Sequence, residues 1–231
     1  MQGPRCLIDQ TSFGEVRGTA GSGSLGLALR CRLGACAPVA HHRTLVNVPD
    51  VPVRLVGVRL PIAWDGFGLP NPLQAGSTVL STGDPGWAWD GPPPDLGLAE
   101  ASSEPGSAAD GWDLDHIVLL VPDVEEAVDA IAAAGSPARL RIEVRGRPTA
   151  FFRVGPVLEV IQSPVRAAAL YGAAMVTTEP LEIVVVRWRS MGHDVTDPRP
   201  AIQHGRRIFT VRALQAGLAV MSPAGSVVSS R

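Results

Sequence analysis

At 231 residues, 45% of them hydrophobic and 18% charged, the chain has material for one large domain or two small ones, and its apolar runs fall short of the ~18 residues a membrane span needs. A formal charge of -2 supplies no basic field to neutralise phosphates, so neither nucleic acid nor membrane is an expected partner. All 20 Lys+Arg residues are arginine; the absence of lysine removes Schiff-base, Walker-loop, kinase and S-x-x-K chemistry and leaves His, Asp, Glu, Ser, Cys, Arg and any metal they hold.

Residues 1–90 are rich in Gly and Pro. Strand-like runs at 44–48, 53–60 and 77–81 are broken by these residues and no helical periodicity accompanies them, so the region reads as β-rich or poorly ordered. Cys6, Cys31 and Cys36 are an odd set with no secretory pattern, since Arg30 and Arg32 interrupt the apolar stretch 25–40. A cytoplasmic location is the expectation. The string from Gly21 to Gly26 matches G-x-G-x-x-G without the preceding strand a dinucleotide site requires, and Cys31, Cys36, His41 and His42 are spaced more widely than a zinc knuckle. From Gly91 to Gly111, Pro, Gly, Ser, Ala and acids replace any periodic pattern, which reads as a linker.

The block 112–223 repeats itself. Gly146, Arg147, Arg153, Ser163 and Pro164 recur without a gap as Gly205, Arg206, Arg212, Ser222 and Pro223, at a constant offset of 59. Two copies of one unit are predicted, 112–164 and 171–223, followed by a tail at 224–231. In the first copy a strand-length apolar run at 114–121 is stopped by Pro122 and Asp123. Asp123 with Glu126 makes a capping-box-like start. Val124, Ala127, Val128, Ile131 and Ala132 then share one helical face until Gly135 and Pro137 close the helix. Strands are expected at 139–144, 150–154 and 157–161. In the second copy a strand at 173–177 precedes a helix at 180–191. The run Ile183 to Val186 favours a strand by β-branching, but the repeat overrides this. Pro180 suits the first helical position, and Leu181, Val184, Val185, Trp188 and Met191 form one stripe. Each copy therefore reads β-α-β-β-β.

Strand alternation puts His116 on a face with Leu114, Val118 and Leu120, and Glu159 on a face with Val157 and Ile161. A carboxylate in such apolar company needs a compensating partner or takes up a proton. Imidazole nitrogen with carboxylate oxygen suits a divalent Zn, Fe, Mn or Ni ion. In a chain without that ion, Glu159 would instead pair with Arg141, Arg153 or Arg206, and His116 would be a hydrogen-bonded core histidine. Arg139, Arg141, Glu143 and Arg145 alternate onto one face, which either lines an opening for a carboxylate-bearing ligand or is a solvated sheet face.

Paired βαβββ units that open on LDHIVLLVPD and close on LEVIQSP resemble the vicinal oxygen chelate superfamily, to which glyoxalase I, extradiol dioxygenases and bleomycin-resistance proteins belong. The resemblance covers 112–223, about half the chain. It implies an α+β fold in which two tandem modules form one open cup of mixed sheet around a divalent metal or a small molecule. It further implies His116 and Glu159 as metal ligands, Glu159 as a catalytic group, and a metal-dependent lyase or isomerase acting on a small polar ligand. Arg141, Phe152, Arg153 and Arg206 are the expected substrate contacts. The second copy offers Gly172 and Leu218 near the aligned positions, and neither is a ligand. Tyr171, His193, His204 or a partner chain in a homodimer are the remaining sources of one. The alternative is a metal-free small-molecule binding protein of bleomycin-resistance type. A third reading is an interaction module that keeps the cup only for its fold.

Overall fold

The computed structural model describes residues 53–102 and 104–225. The run at 44–48, the cysteines, the Gly21 to Gly26 string, His41 and His42 lie outside the described residues. The chain divides into Met1–Asn47 and Val48–Arg231, and everything described below belongs to the second unit.

Strands β1 (Leu55–Leu60), β2 (Leu73–Ala75), β3 (Thr78–Thr82), β4 (Gly86–Trp89) and β5 (Ser107–Ala108) build a five-stranded mixed sheet in the order β4-β1-β3-β2-β5. Among the described residues before Trp112 the helical structure is one 3-10 turn, Trp64–Phe67, which buries Trp64 and Phe67. The segment from Gly91 to Gly111, read from sequence as a linker, returns to this sheet: Glu100 bridges Trp87, Ala101 is buried, and β5 pairs in parallel with β2. A two-residue strand has no periodicity to detect. An existing sheet edge recruits it through main-chain groups that carry no sequence signature.

The repeat folds as two modules. The first comprises β6 (Trp112–Val121), α1 (Val124–Ala133), β7 (Leu140–Val144), β8 (Arg147–Arg153) and β9 (Val157–Gln162). The second comprises β10 (Ala169–Thr177), α2 (Leu181–Ser190), β11 (Arg199–Pro200), β12 (Arg207–Val211) and β13 (Gly217–Met221). Together they form one eight-stranded sheet in the order β11-β12-β13-β10-β6-β9-β8-β7. In each module the first strand runs parallel to the last, and β6 and β10 meet antiparallel at the centre. This is the α+β arrangement of tandem βαβββ units that the resemblance implied.

Local signals explain most of the boundaries. The Asp123 carboxylate accepts from the backbone N–H groups of Glu125 and Glu126 and so starts α1. Pro180 stands at the cap of α2, one residue ahead of the first helical position, where its missing N–H is not needed. Leu181, Val184, Val185 and Trp188 are buried, whereas Ile183, Val186 and Met191 face solvent. Met191, expected on the apolar stripe, lies at the helix end instead. Burial of the stripe decided the conformation of a segment whose β-branching favoured a strand.

Both helices and the five-stranded sheet cover the same face of the eight-stranded sheet. One core joins Trp112, Ile117, Leu119, Phe152, Leu158, Val160 and Phe209 of the large sheet to residues of α1, α2 and β1 to β4. Trp188 anchors it. Fully buried, its ring lies 4.7 Å from Phe67, 5.7 Å from Trp112 and 5.4 Å from Phe209, and its Nε1–H donates to the Phe67 carbonyl at 3.1 Å. The other sheet face carries neither helix nor the five-stranded sheet among the described residues, and its side chains range from buried, as at Thr149 and Met221, to half-buried, as at Phe151 and Glu159. Trp188→Ala is expected to cost about 3–5 kcal/mol in urea unfolding, because the cavity would adjoin both sheets. Ile183→Ala, on the same helix but exposed, should change stability by no more than ~0.5 kcal/mol.

Candidate functional site

The pairing of β6 with β10 contains an irregularity that the sequence alternation did not anticipate. Ala174 stands opposite His116 and Met175 opposite Leu114, which leaves Asp115 as an extra residue in β6. Such a bulge reverses side-chain parity along the strand. Trp112 and Leu114 before it, and Ile117, Leu119 and Val121 after it, all enter the covered core. Leu114 therefore lies on the face opposite His116, contrary to simple alternation. Asp115 and His116 both reach the open face. The signal was present in sequence: the apolar positions change from even to odd across Asp115 and His116. β10 mirrors the irregularity at Tyr171, with Leu170 opposite Leu119 and Gly172 opposite Val118.

Four side chains form a continuous polar chain on this face. The Arg206 Nη1 lies 2.7 Å from Asp115 Oδ1, and Asp115 Oδ2 lies 2.8 Å from His116 Nδ1. His116 Nε2 in turn lies 3.4 Å from Glu159 Oε2. Arg206 is fixed further by its Nε–H, which donates to the Ser222 carbonyl at 2.9 Å. Parallel pairing of β9 with β6 sets Val118 beside Glu159, so the carboxyl lies across the sheet from the His116 ring. All four side chains are between 11% and 19% exposed.

The two carboxyls are driven in opposite directions. Burial raises the Glu159 pKa, and the negative charge of Asp115 adds to this against the opposing pull of His116 and Arg145. Burial also acts to raise Asp115, but hydrogen bonds from His116 and Arg206, together with their charges, outweigh it and hold the group below the ordinary aspartate value. Asp115 thus stays ionised and accepts the Nδ1–H of His116, which turns Nε2 toward Glu159.

The remaining sequence candidates are distributed differently. Arg206 meets Asp115 and not Glu159. Arg141 stands opposite Ala150, a residue of the covered core, and its guanidinium reaches Glu125 of α1 at 2.6 Å, so it is on the helix side of the sheet. Phe152 is fully buried in the covered core, which removes it from the open face. The aromatic residue beside Glu159 is Phe151, its direct partner in the pairing of β8 with β9. Period-two alternation fixes that one of two adjacent phenylalanines faces each side, and only the register selects which. Arg153 shares the open face as an exposed residue at the end of β8. His193 stacks on Phe67 with ring centroids 3.9 Å apart and places Nε2 2.7 Å from the Gly66 carbonyl, on the covered side. His204 is exposed in the loop before β12.

The second module fills its share of this face with buried apolar groups. Ala174, Ala219 and Met221 cluster there with Ala201 and Ile208. At Gly172 a Cβ would fall 1.9 Å from the Gly217 carbonyl oxygen, so no liganding side chain can stand there. Leu218 is buried in the covered core. For a divalent metal, the 3.4 Å between His116 Nε2 and Glu159 Oε2 is close to the spacing of two ligands on one ion with bonds of ~2.0–2.2 Å. Among the described residues no group of three His, Cys, Asp or Glu side chains is placed to hold an ion, and Asp115 is already engaged on both oxygens. Two donors fall short of the three protein ligands of a catalytic zinc site. The described residues do not fit a resident metal.

No known family profile matches the chain, and no curated protein matches it. Solved structures with a similar chain path include methylmalonyl-CoA epimerase from Mycobacterium tuberculosis, at 16% identity and a TM-score of 0.40, covering 48% of this chain and 87% of that one. A variant of the Streptomyces coelicolor methylmalonyl-CoA epimerase in complex with 2-nitronate-propionyl-CoA has 15% identity and a TM-score of 0.39, with 48% and 94% covered. A hypothetical protein from Bacillus halodurans has 15% identity and a TM-score of 0.42, with 50% and 97% covered. Likenesses this distant carry no residue roles across. Among the described residues no helix is long and apolar enough to cross a membrane.

Asp115 and Glu159 should have opposite pH signatures. With its pKa below 3.8, Asp115 stabilises the fold fully above that pH and loses the contribution as the pH falls further. Glu159, pushed above 4.5, favours the folded state fully below pH 4.5 and loses that contribution as the pH rises through its folded value. Asp115→Asn is expected to cost about 1–3 kcal/mol at neutral pH, the gap closing in acid. Glu159→Gln should gain on the parent as the pH rises. Urea midpoints from acid to neutral pH check both, and a Glu159→Gln protein that instead loses ground with rising pH would contradict the assignment.

Proposed function

We propose that this chain is a vicinal oxygen chelate protein whose open sheet face takes a small polar molecule and acts on it by proton transfer through Glu159 and His116, as a lyase or isomerase without a resident metal. The observation that carries this reading is the His116 ring, held at Nδ1 by Asp115 so that Nε2 faces Glu159 3.4 Å away. Arg206 anchors Asp115 from the second module, so the arrangement depends on both halves of the repeat. A carboxyl with a raised pKa beside an oriented imidazole is a pair able to take a proton from a carbon next to a carbonyl and to return one.

A second reading is favoured by Gly172 and Leu218, which leave the second module without functional side chains at the matching positions. On that reading the face binds a small molecule and performs no chemistry on it.

Thermal shift with 2-oxo acids, 2-hydroxy acids and acyl thioesters, followed by proton NMR of any binder in D2O, separates the two. Acid–base chemistry predicts loss of the substrate C–H signal, slowed ~10²–10⁴-fold in Glu159→Gln and also slowed in His116→Ala. Binding with no exchange in any protein would assign the face to sequestration, and neither binding nor exchange would overturn both readings. Stoichiometric Zn, Fe, Mn or Ni in the purified protein, lost in both His116→Ala and Glu159→Ala, would overturn the metal-free form.

A further inference from the structure

The two ends of the eight-stranded sheet are finished differently. At one end β11 is two residues long and lies within Pro198-Arg199-Pro200, so the edge offers few N–H groups to another chain. At the other end β7 runs for five residues without proline, every position from Leu140 to Glu143 is exposed, and no strand among the described residues pairs with its outer side. Leu140 and Ile142 are 50% and 44% exposed, although both are large apolar side chains.

The hairpin fixes which main-chain groups face outward. Arg145 and Gly146 have φ of 53 and 73, the signature of a two-residue turn that makes Val144 and Arg147 the last hydrogen-bonded pair. Hydrogen-bonded and non-hydrogen-bonded pairs alternate along an antiparallel ladder, so Ile142 with Thr149 is the next bonded pair. Glu143 lies opposite Pro148, which has no N–H, in keeping with a non-bonded position. The N–H and C=O groups of Arg141 and Glu143 therefore point away from β8.

We propose that this edge pairs with β7 of a second copy of the chain, antiparallel and centred on Ile142. In that register Arg141 faces Glu143 of the partner subunit, and Glu143 faces Arg141 of the partner subunit. These are the residues with outward main-chain groups, so each opposed pair exchanges N–H···O=C bonds in both directions while its side chains meet with opposite charge. Ile142 meets its own copy at the centre. Leu140 meets Val144 of the partner subunit on either side, and all of these lie on the sheet face that carries Thr149. A strand whose charges and apolar positions are complementary to themselves about a two-fold axis fits a second copy better than an unrelated peptide. Arg141 also serves Glu125, and a guanidinium has donors for both. Arg145 turns out of the strand, and Arg139 lies beyond its start.

A small edge-to-edge contact predicts a weak, concentration-dependent dimer. In sedimentation equilibrium of the full chain, the mass should rise toward two chains as the concentration approaches ~100 µM. Glu143→Arg and Arg141→Glu should each raise the dimer dissociation constant about tenfold or more, and the charge-swapped double variant Arg141→Glu with Glu143→Arg should restore it. Amide exchange on the parent protein supplies a readout that does not depend on a variant folding. Protection should increase with concentration at the Arg141 and Glu143 amides and stay constant at Ile142 and Val144. A chain that remains monomeric, a dimer indifferent to all three variants, or edge amides whose exchange ignores concentration would each overturn the proposal.

Discussion

One extra residue in β6 decides what the large sheet presents to solvent. Without the bulge at Asp115, alternation would carry Leu114 and His116 to one face and Asp115 to the other, and the apolar positions of the strand could not all enter one core. With it, five apolar side chains of β6 enter the covered core while an acid and an imidazole emerge together. The bulge therefore serves packing and brings two polar groups to one face at once. Its counterpart at Tyr171 preserves the relation between the two central strands.

The two modules share a topology but divide their labour. The first supplies Asp115, His116 and Glu159, while the second contributes the anchoring Arg206 and a buried apolar cluster. The cause of the asymmetry is steric as well as chemical. Gly172 and Gly217 oppose each other in neighbouring strands, and their main chains approach too closely for any Cβ at Gly172. A symmetric set of ligands is closed to this backbone. What remains is a linear polar chain from Arg206 to Glu159 that crosses from one module to the other, with the terminal carboxyl's pKa raised by burial.

The same asymmetry recurs at the sheet's ends. Proline guards β11, whereas the equivalent edge in the first module alternates apolar and charged residues along five positions, the first four of them exposed. An edge strand is an unfilled set of hydrogen bonds, and a protein either blocks it or uses it. Here each module takes a different course at the same structural position.

The sequence by itself determined the repeat and the order of elements in each module, and it singled out His116 and Glu159 as candidates. These are properties of spacing and of residue type, and they survive without coordinates because hydrophobic periodicity and caps act over a few residues. The Asp123 cap and the stripe from Leu181 to Trp188 are examples. Only the tertiary structure decided which face each strand residue occupies, since parity depends on a bulge and on register with a partner far away in sequence. That is why Asp115 was missed, Phe152 exchanged places with Phe151, and Arg141 fell to the helix side. It also decided that the segment between Gly91 and Gly111 closes onto a sheet, because recruitment to an edge is made by backbone groups that every residue carries.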